Sequence, residues 1–430
     1  MTYKNRLLKV IPGGAHTYSR GHDQFPSNAP EILKRGKDSY VYDENDNKFL
    51  DYGMGLRAVN IGYSNKQVDE AAIKQLGFGN NLTKPSLIEL EAAELFVDNI
   101  DSADMVKFTK NGSSATTAAI KLSRAYTGRN MIARCIEQPF LSYDDWFIGS
   151  TSIKLGINQN DIDNIKTFNY NNIESLERVF CEYPNQIACV ILEPATTEHP
   201  KDNFLHKVKE ICHKNGALFI LDEMITGFRW HSKGAQYYYN IEPDLSTFGK
   251  AMANGYSVSA VSGKKEIMKL GSIELIGAER LFLLSSTHGA EMSALAAFTA
   301  TLKFIKSKGV IEHNWGYGDR LISLINEISQ KHGLQNNFYA GGIACNPFYT
   351  SLDKNGKNCL GLRTLFSQEM IKNKVLMPWI SISYCHDEKE LNITKTALER
   401  TLKVYKKALE FGYDKYLIGD VIKPVFRKYN

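Results

Sequence analysis

Short apolar runs separated by amphipathic stretches fill the middle of this chain and limit what it can fold into. The runs lie at residues 105–109, 131–133, 188–193, 217–221, 245–248 and 258–261. A strand with so little polar alternation is buried on both faces, and strands divided by helices form a mostly parallel sheet. The pattern therefore predicts a large α/β domain over residues 65–310.

The two ends of the chain lack this alternation and predict a smaller α+β domain built from residues 1–64 and 311–430. Residues 40–43 and 48–52 are expected to form a hairpin. Ser86 with Glu89 resembles a capping box at the start of a helix. Helical periodicity is found at residues 64–76, 86–99, 290–308, 320–332 and 388–411.

Charge and cysteine usage narrow the class of protein. A formal net charge of +5 on 430 residues is small, so a nucleic-acid partner is not expected. The seven cysteines show no CxxC pair and no Cys/His metal spacing, which favours reduced thiols in a cytoplasm and no metal site. Neither a signal segment nor an apolar run of bilayer length is visible, so a cytoplasmic protein without membrane contact is expected.

Two of the apolar runs end in groups that suggest a chemistry. Residues 217–221 lead into Asp222, and residues 245–248 lead into Gly249 and Lys250. Singly, Asp222 is typical of a strand cap and Lys250 of a surface lysine. Together they suit pyridoxal phosphate, because a lysine can hold that cofactor as an imine and a carboxylate can keep its ring nitrogen protonated.

A phosphate site is expected where the run at 105–109 ends. Gly112 and Ser113 open an amphipathic helix, and the free N–H groups of a helix N-terminus attract anions. Plain N-capping is the alternative for this stretch. Farther along, residues 139–147 concentrate aromatic side chains, and Phe140 is the candidate for stacking on a flat cofactor, with core packing as the alternative.

With these segments in order, the chain resembles the class III aminotransferases of fold type I, and among them the branch of glutamate-1-semialdehyde aminomutase. The motifs that carry the resemblance span nearly the whole chain: Ile11-Pro12-Gly13-Gly14, Asn111-Gly112-Ser113-Ser114-Ala115, Leu192-Glu193-Pro194 and the segments around Asp222 and Lys250. The resemblance implies an α/β transferase that depends on pyridoxal 5′-phosphate. Its mostly parallel sheet would lie in the large domain, and the N- and C-terminal segments would form the smaller one.

The resemblance also implies roles for single residues. Lys250 is similar to the Schiff-base lysine, which also moves a proton between substrate and cofactor. Asp222 is similar to the partner of the ring nitrogen, and Met224 would press on one face of the ring. Gly112 and Ser113 match the phosphate-binding loop.

Three further residues follow from the same resemblance. Glu193 falls among the cofactor-binding residues. Thr287 looks like the threonine that this family lends across a dimer interface to the neighbour's phosphate, so a homodimer is implied, with contacts from the N-terminal segment. Arg20 stands where the aminomutase places an arginine for the substrate carboxylate.

The chain also departs from the family pattern. Residues 139–142 stand where the family usually has Tyr-His-Gly, and Ser114 removes a carboxylate that the usual phosphate loop carries. Residues 53–59, 251–256 and 421–427 look more like transaminases of bacterial surface-glycan or secondary-metabolite pathways. These departures favour a ping-pong aminotransferase that moves an amino group from a small-molecule donor to an external keto or aldehyde acceptor.

Three alternatives remain at this point. The first is a glutamate-1-semialdehyde 2,1-aminomutase that forms 5-aminolevulinate without an external donor. The second is a non-catalytic regulator that binds the cofactor, although such regulators carry an added DNA-binding domain and here the expected fold begins near Met1. The third is an inactive transaminase with altered stacking and phosphate loops.

Overall fold

A computed structural model describes residues 1–289 and 291–430. The strands of the described chain are β1 (Leu33–Lys37), β2 (Tyr40–Asp43), β3 (Lys48–Asp51), β4 (Met105–Thr109), β5 (Met131–Cys135), β6 (Ile165–Phe168), β7 (Ile187–Leu192), β8 (Leu218–Glu223), β9 (Leu245–Phe248), β10 (Ser259–Gly263), β11 (Ala340–Ile343), β12 (Asn346–Tyr349) and β13 (Val375–Leu376). The helices are α1 (Tyr3–Val10), α2 (Met54–Arg57), α3 (Lys66–Leu76), α4 (Leu87–Asn99), α5 (Gly112–Thr127), α6 (Asp145–Ile148), α7 (Gln159–Asp163), α8 (Ile173–Glu182), α9 (Phe204–Lys214), α10 (Ala235–Tyr238), α11 (Lys265–Met268), α12 (Met292–Lys308), α13 (Val310–Lys331), α14 (Leu360–Lys372) and α15 (Glu388–Phe411). None of these helices is long and apolar enough to cross a membrane.

The chain divides into two compact units. The larger unit is Lys66–Ile311, and the smaller unit joins Met1–Asn65 with Glu312–Asn430. Helices predicted in the larger unit are found with small shifts at their ends. The helix expected at 86–99 begins at Leu87 because Ser86 is its cap, with Glu89 completing the capping box. The helix expected at 290–308 begins at Met292, and Ala290 lies outside the described residues.

A seven-stranded sheet forms the centre of the larger unit, in the order β4-β10-β9-β8-β7-β5-β6. The five strands β9, β8, β7, β5 and β6 are parallel to one another, and β10 runs antiparallel between β4 and β9. The predicted mostly parallel sheet is thus confirmed. The edge strand β6 was not predicted, because it is short and its two middle residues are polar, with Lys166 partly buried and Thr167 exposed.

Every residue of β7, β8 and β9 is buried, so helices and loops cover both faces of the central strands. Helix α5 packs on β7, β8, β9 and β10, and α9 packs on β8. This double cover is the reason that the strand sequences lack polar alternation.

The strand order brings several loops to one edge of the sheet. In the parallel pair β8 and β9, Asp222 lies opposite Thr247. Because β10 is antiparallel to both neighbours, β4 also ends at this edge, where Thr109 pairs with Ser259. The loops that follow β4, β8 and β9 therefore meet where open α/β sheets usually bind their ligands.

The smaller unit contains a four-stranded sheet in the order β1-β2-β3-β13 and a two-stranded sheet of β11 and β12. The predicted hairpin is confirmed as the antiparallel pair β2 and β3. The helix expected at 320–332 begins earlier, at Val310, because Gly316 and Gly318 weaken the helical signal of its first turns. The last helix matches the expected range 388–411.

Candidate active site

Asp222 lies near the end of β8 and is 2% exposed. Its Oδ1 atom accepts a hydrogen bond from the Met224 backbone N–H at 3.0 Å and another from the Thr247 hydroxyl at 2.9 Å. Both bonds go to the same oxygen, so Oδ2 is the atom with capacity to accept a hydrogen bond from a ligand. The site thus presents a buried carboxylate with a fixed orientation.

The protonation of Asp222 depends on its surroundings. Burial raises the pKa of Asp222 to about 6, while the nearby Lys250 cation and the two hydrogen bonds act in the opposite direction. The structure therefore brings Lys250 close enough to act on the carboxylate through its charge. A further cation at Oδ2, such as a protonated ring nitrogen, would favour the ionised form.

Lys250 follows β9 and begins the 3-10 turn Lys250–Ala253. Its backbone lies in the left-handed region, with a φ of 44°. That conformation costs a residue with a Cβ on the order of 1–2 kcal/mol. Residues held in this way cluster at functional sites, because the surrounding structure has to enforce them. The turn holds Lys250 at the edge of the sheet where Asp222 also lies.

Two glycines make room for the Met224 side chain. A Cβ at Gly112 would lie 2.8 Å from Met224 Sδ, and a Cβ at Gly249 would lie 2.7 Å from the same sulfur. Both distances are below van der Waals contact, so a larger residue at either position would displace the methionine. The loops after β4, β8 and β9 therefore converge on one sulfur atom, which brings Gly112, Met224 and Lys250 into one site.

Different groups at the N-terminus of α5 are available for capping and for anion binding. Asn111 is the N-cap, and its side chain accepts a hydrogen bond from the Ser114 N–H at 2.9 Å. Ala115 donates the first bond of the helix to the Asn111 carbonyl at 3.3 Å. The N–H groups of Gly112 and Ser113 come before that bond, where helix N-termini bind phosphate.

The aromatic loop lies beside this helix end. Phe140 is 49% exposed, and the centroid of its ring lies 5.9 Å from that of Phe147 in an edge-to-face contact. The loop is tied to α5, because Ser113 Oγ accepts a hydrogen bond from the Tyr143 N–H at 3.0 Å. The Phe140 ring is thus half-exposed on a loop that is bonded to the predicted phosphate site.

Gln138 ties the same loop to the end of β7. Its Nε2 donates to the Glu193 carbonyl at 2.9 Å, and its Oε1 accepts from the Glu193 N–H at 2.8 Å. Arg134 of β5 is 4% exposed and donates to the Gln138 carbonyl at 3.3 Å. The structure therefore places Glu193 at an anchor point of the aromatic loop.

The last two predicted residues, Thr287 and Arg20, are described separately. Thr287 is exposed, and its carbonyl accepts a hydrogen bond from Asn81 Nδ2 at 2.8 Å. Arg20 belongs to the smaller unit, where it is exposed in the 3-10 turn Tyr18–Arg20. The larger unit thus brings together Asp222, Lys250 and the phosphate loop, and Arg20 is not part of that unit.

The sequence patterns did not single out Thr247 and Gln138. Thr247 meets Asp222 only because β8 and β9 pair in a particular register, which is a property of the folded sheet. The sequence signal for Thr247 was its hydroxyl side chain within a run predicted to be a buried strand. For Gln138 no sequence signal existed, because its partner Glu193 is distant along the chain.

These residues fit pyridoxal phosphate in the features that the structure shows. Asp222 offers one carboxylate oxygen to a ring nitrogen, and Lys250 supplies an amine beside it. The N-terminus of α5 can hold a phosphate, and the glycine at 112 keeps that approach free of side-chain atoms.

Comparison with known proteins identifies the family. The model of the family "Aminotransferase class-III" matches residues 18–345. The chain is 31% identical to glutamate-1-semialdehyde 2,1-aminomutase of Natranaerobius thermophilus, over 81% of this chain and 82% of the relative. It is 29% identical to 3-aminobutyryl-CoA aminotransferase of Cloacimonas acidaminovorans, over 95% of this chain and 98% of the relative.

Solved structures agree with this result. The FumI protein of Sphingopyxis sp. MTA144, in its internal aldimine form with pyridoxal phosphate, superposes with a TM-score of 0.85 and 26% identity. The superposition covers 95% of this chain and 97% of that one. The chain belongs to the class III aminotransferases, and it is an enzyme that depends on pyridoxal 5′-phosphate.

Proposed function

We propose that this protein is a ping-pong aminotransferase that passes an amino group from a small-molecule donor to an external keto or aldehyde acceptor. The observation that carries the proposal is the pairing of Asp222 with Lys250. The carboxylate is buried and oriented through Oδ1, and the lysine lies close enough to influence its pKa. Both groups meet at the edge of the sheet where the phosphate loop also lies.

Each residue has a defined task in this proposal. Asp222 Oδ2 accepts a hydrogen bond from the ring nitrogen and keeps it protonated. The N–H groups of Gly112 and Ser113 hold the phosphate, and Met224 limits movement of the ring. Lys250 Nζ binds the cofactor and then transfers a proton to and from the substrate carbon. Pyridoxal phosphate, when bound, supplies a ring that withdraws electrons from that carbon.

An external acceptor is favoured by two features of the chain. Ser114 stands where the phosphate loop of the family usually carries an acidic residue, so the chain departs from the family pattern near the site. The likeness to an aminotransferase of a CoA-linked amino acid covers nearly the full length of both chains. Arg20 would hold a substrate carboxylate, and a role in surface-glycan or secondary-metabolite synthesis is part of the proposal.

The aminomutase is the second candidate, because a relative of that name shares 31% identity with this chain. Incubation of the pure enzyme with glutamate-1-semialdehyde, without any donor, separates the two functions. Formation of 5-aminolevulinate at a catalytic rate would replace the proposed external transamination. For the transaminase, we expect half-reactions with an amino-acid panel first, and then with ketone and aldehyde acceptors on the aminated cofactor.

We also infer a homodimer in which Thr287 reaches the phosphate in the neighbouring subunit. Large apolar side chains are exposed on the segment near Thr287, with Phe78 65% and Leu82 52% exposed. The Asn81 amide bonds the Thr287 carbonyl, so this segment and the threonine share one surface. Exposed apolar clusters of this kind mark protein interfaces.

Substitution of the lysine tests the assignment directly. Lys250→Ala should lose the visible absorbance of lysine-bound pyridoxal phosphate, and turnover should fall by about 10³-fold or more because the proton carrier is gone. Lys264→Ala on the same unit is the control, and it should keep the absorbance. Turnover retained by Lys250→Ala would contradict the proposal.

A further inference from the structure

Thr247 of β9 is a buried residue whose hydroxyl reaches a carboxylate on the next strand. Every residue of β9 is buried, and Thr247 is 0% exposed. A hydroxyl is unfavourable in such a place unless it has a hydrogen-bond partner. Thr247 has one, because it donates to Asp222 Oδ1 at 2.9 Å. Valine would fill the same space without a hydroxyl, so the oxygen of Thr247 serves the carboxylate and not the packing of the strand.

The register of β8 and β9 decides which hydroxyl of the strand reaches this carboxylate. Asp222 lies opposite Thr247, and Leu221 lies opposite Ser246. Successive side chains of a strand point to opposite faces, so Ser246 is directed away from Asp222. Its hydroxyl accepts a hydrogen bond from Gln236 Nε2 at 3.5 Å. Ser246 is as buried as Thr247, and it serves as a reference for a hydroxyl of β9 that has a different partner.

Two donors from different elements fix the plane of the Asp222 carboxylate. The Met224 N–H bonds Oδ1 at 3.0 Å from the loop after β8, and Thr247 bonds the same atom from β9. The last torsion of an aspartate side chain has broad minima, so one local bond would leave the carboxylate free to turn about the oxygen that it holds. The bond from Thr247 removes this freedom, because β9 is itself held by the sheet. Oδ2 is thereby directed to one point.

The charges around Asp222 make the same bond important for its protonation. Burial has the largest influence and raises the pKa of Asp222 to about 6, while the Lys250 cation lowers it. The pKa of the buried Glu223 is raised by burial and also by the Asp222 charge, so the two carboxylates oppose each other's ionisation. The Thr247 hydroxyl lowers the pKa of Asp222, because a donor stabilises the ionised form.

We propose that Thr247 is a positioning residue for the cofactor, whose hydroxyl holds Asp222 ionised and oriented so that Oδ2 meets the ring nitrogen of pyridoxal phosphate. Thr247 acts through the carboxylate and has no task of its own toward the cofactor. The inference rests on the proposed role of Asp222, and it is independent of the acceptor that the enzyme uses. A protonated ring nitrogen lets the cofactor withdraw electrons, so the Thr247 bond supports both cofactor binding and turnover.

Thr247→Val tests this role, because it keeps the branched shape of the side chain and removes the hydroxyl. The dissociation constant of pyridoxal phosphate, measured by titration of the cofactor-free protein, should rise about tenfold, since Asp222 loses a charge-assisted hydrogen bond. Thr247→Ser keeps the hydroxyl and removes the methyl group, so its dissociation constant should stay within about threefold of that of the unchanged protein. A loss as large in Thr247→Ser as in Thr247→Val would assign the effect to packing and overturn the proposal.

Ser246→Ala is the matched control, because it removes an equally buried hydroxyl from the same strand, and it should change the dissociation constant by less than about twofold. In an Asp222→Ala background, Thr247→Val should have no further effect, because Thr247 acts through the carboxylate that is then absent. Additive losses in that double variant would overturn the proposal. Unchanged affinity in Asp222→Ala would overturn the proposed role of Asp222 and this inference with it, whereas unchanged affinity in Thr247→Val alone would overturn only this inference.

Thermal unfolding of the cofactor-free protein gives a second readout, which does not depend on activity. Removal of the Thr247 donor raises the pKa of Asp222 further, so the ionised carboxylate destabilises the folded state more, whereas the protonated one is less affected. The change in melting temperature caused by Thr247→Val should therefore be more negative at pH 8 than at pH 5. Ser246→Ala should cause the same change at both pH values. A change in Thr247→Val that does not depend on pH would overturn the proposal.

Discussion

At the scale of single residues, Asp222 shows how burial and function are linked. Burial raises its pKa from 3.8 to about 6, with an opposing effect from Lys250. A carboxylate whose pKa is higher in the folded state favours folding when protonated. In the cofactor-free protein, the contribution of protonated Asp222 to the free energy of unfolding is therefore complete below about pH 4. It is lost as the pH rises through 6. A ring cation at Oδ2 reverses this preference.

Asp222→Asn should therefore stabilise the cofactor-free protein at pH 8, by up to about 3 kcal/mol. The gain should shrink at pH 5, where the carboxyl of the unchanged protein is largely protonated. Thermal unfolding at both pH values measures this difference. The same variant should bind the cofactor about 10- to 100-fold more weakly, because a charge-assisted hydrogen bond is lost. If Asp222→Asn and the unchanged protein melted at the same temperature at pH 8, Asp222 would carry no such penalty.

At the scale of elements, the site depends on loops that are tied to rigid strands and helices. Residues 136–144 have no helix or strand of their own, yet they are bonded to α5 through Ser113 and to the end of β7 through Gln138. Loops can hold a ligand with precision only when such contacts fix them. The two hydrogen bonds of Gln138 are buried, so water cannot replace them cheaply.

Gln138→Ala should destabilise the protein by about 2 kcal/mol, since it leaves two backbone groups of Glu193 without their partners. The cofactor should also dissociate faster, because the aromatic loop is then attached at fewer points. Denaturant unfolding and the loss of cofactor absorbance during dialysis measure the two effects. Gln330→Ala, at an exposed position of α13, is the matched control and should change neither. An unchanged unfolding midpoint for Gln138→Ala would mean that the loop does not depend on the two hydrogen bonds between Gln138 and Glu193.

At the scale of the whole molecule, the proposed dimer explains exposed apolar side chains near Thr287. Asn80 strengthens the connection, because its carbonyl accepts a hydrogen bond from the Met292 N–H at 3.0 Å at the start of α12. Asn81 bonds Thr287 from the same turn. The segment that exposes Phe78 and Leu82 is therefore held against the segment that would enter the neighbouring site.

Phe78→Glu combined with Leu82→Glu should convert the dimer into a monomer of 48.5 kDa. Buried charge without a partner opposes association across an apolar interface. Light scattering gives the mass, and the monomer should lose cofactor more readily because Thr287 no longer reaches a second site. Leu155→Glu, at a position that is 98% exposed, is the control and should remain dimeric. A dimer that survives the double change would place the interface elsewhere.

Sequence patterns were sufficient for much of this protein because the signals were local. The apolar runs predicted the mostly parallel sheet, since strands covered on both faces must be apolar throughout. The hairpin of β2 and β3 and the capping box at Ser86 also depend on residues a few positions apart. The Asp222 and Lys250 pair suggested the cofactor because each residue follows a strand signal of its own.

The remaining features required the folded chain, because they join residues that are distant in sequence. The strand register sets Thr247 against Asp222, and the crossing of three loops sets Gly112 and Gly249 around Met224. The two hydrogen bonds between Gln138 and Glu193 have the same origin. The sequence by itself determined which elements form and which chemistry they serve, since these follow from periodicity and residue type. Only tertiary structure decided the contacts of each group, because packing selects the register and the approach of the loops.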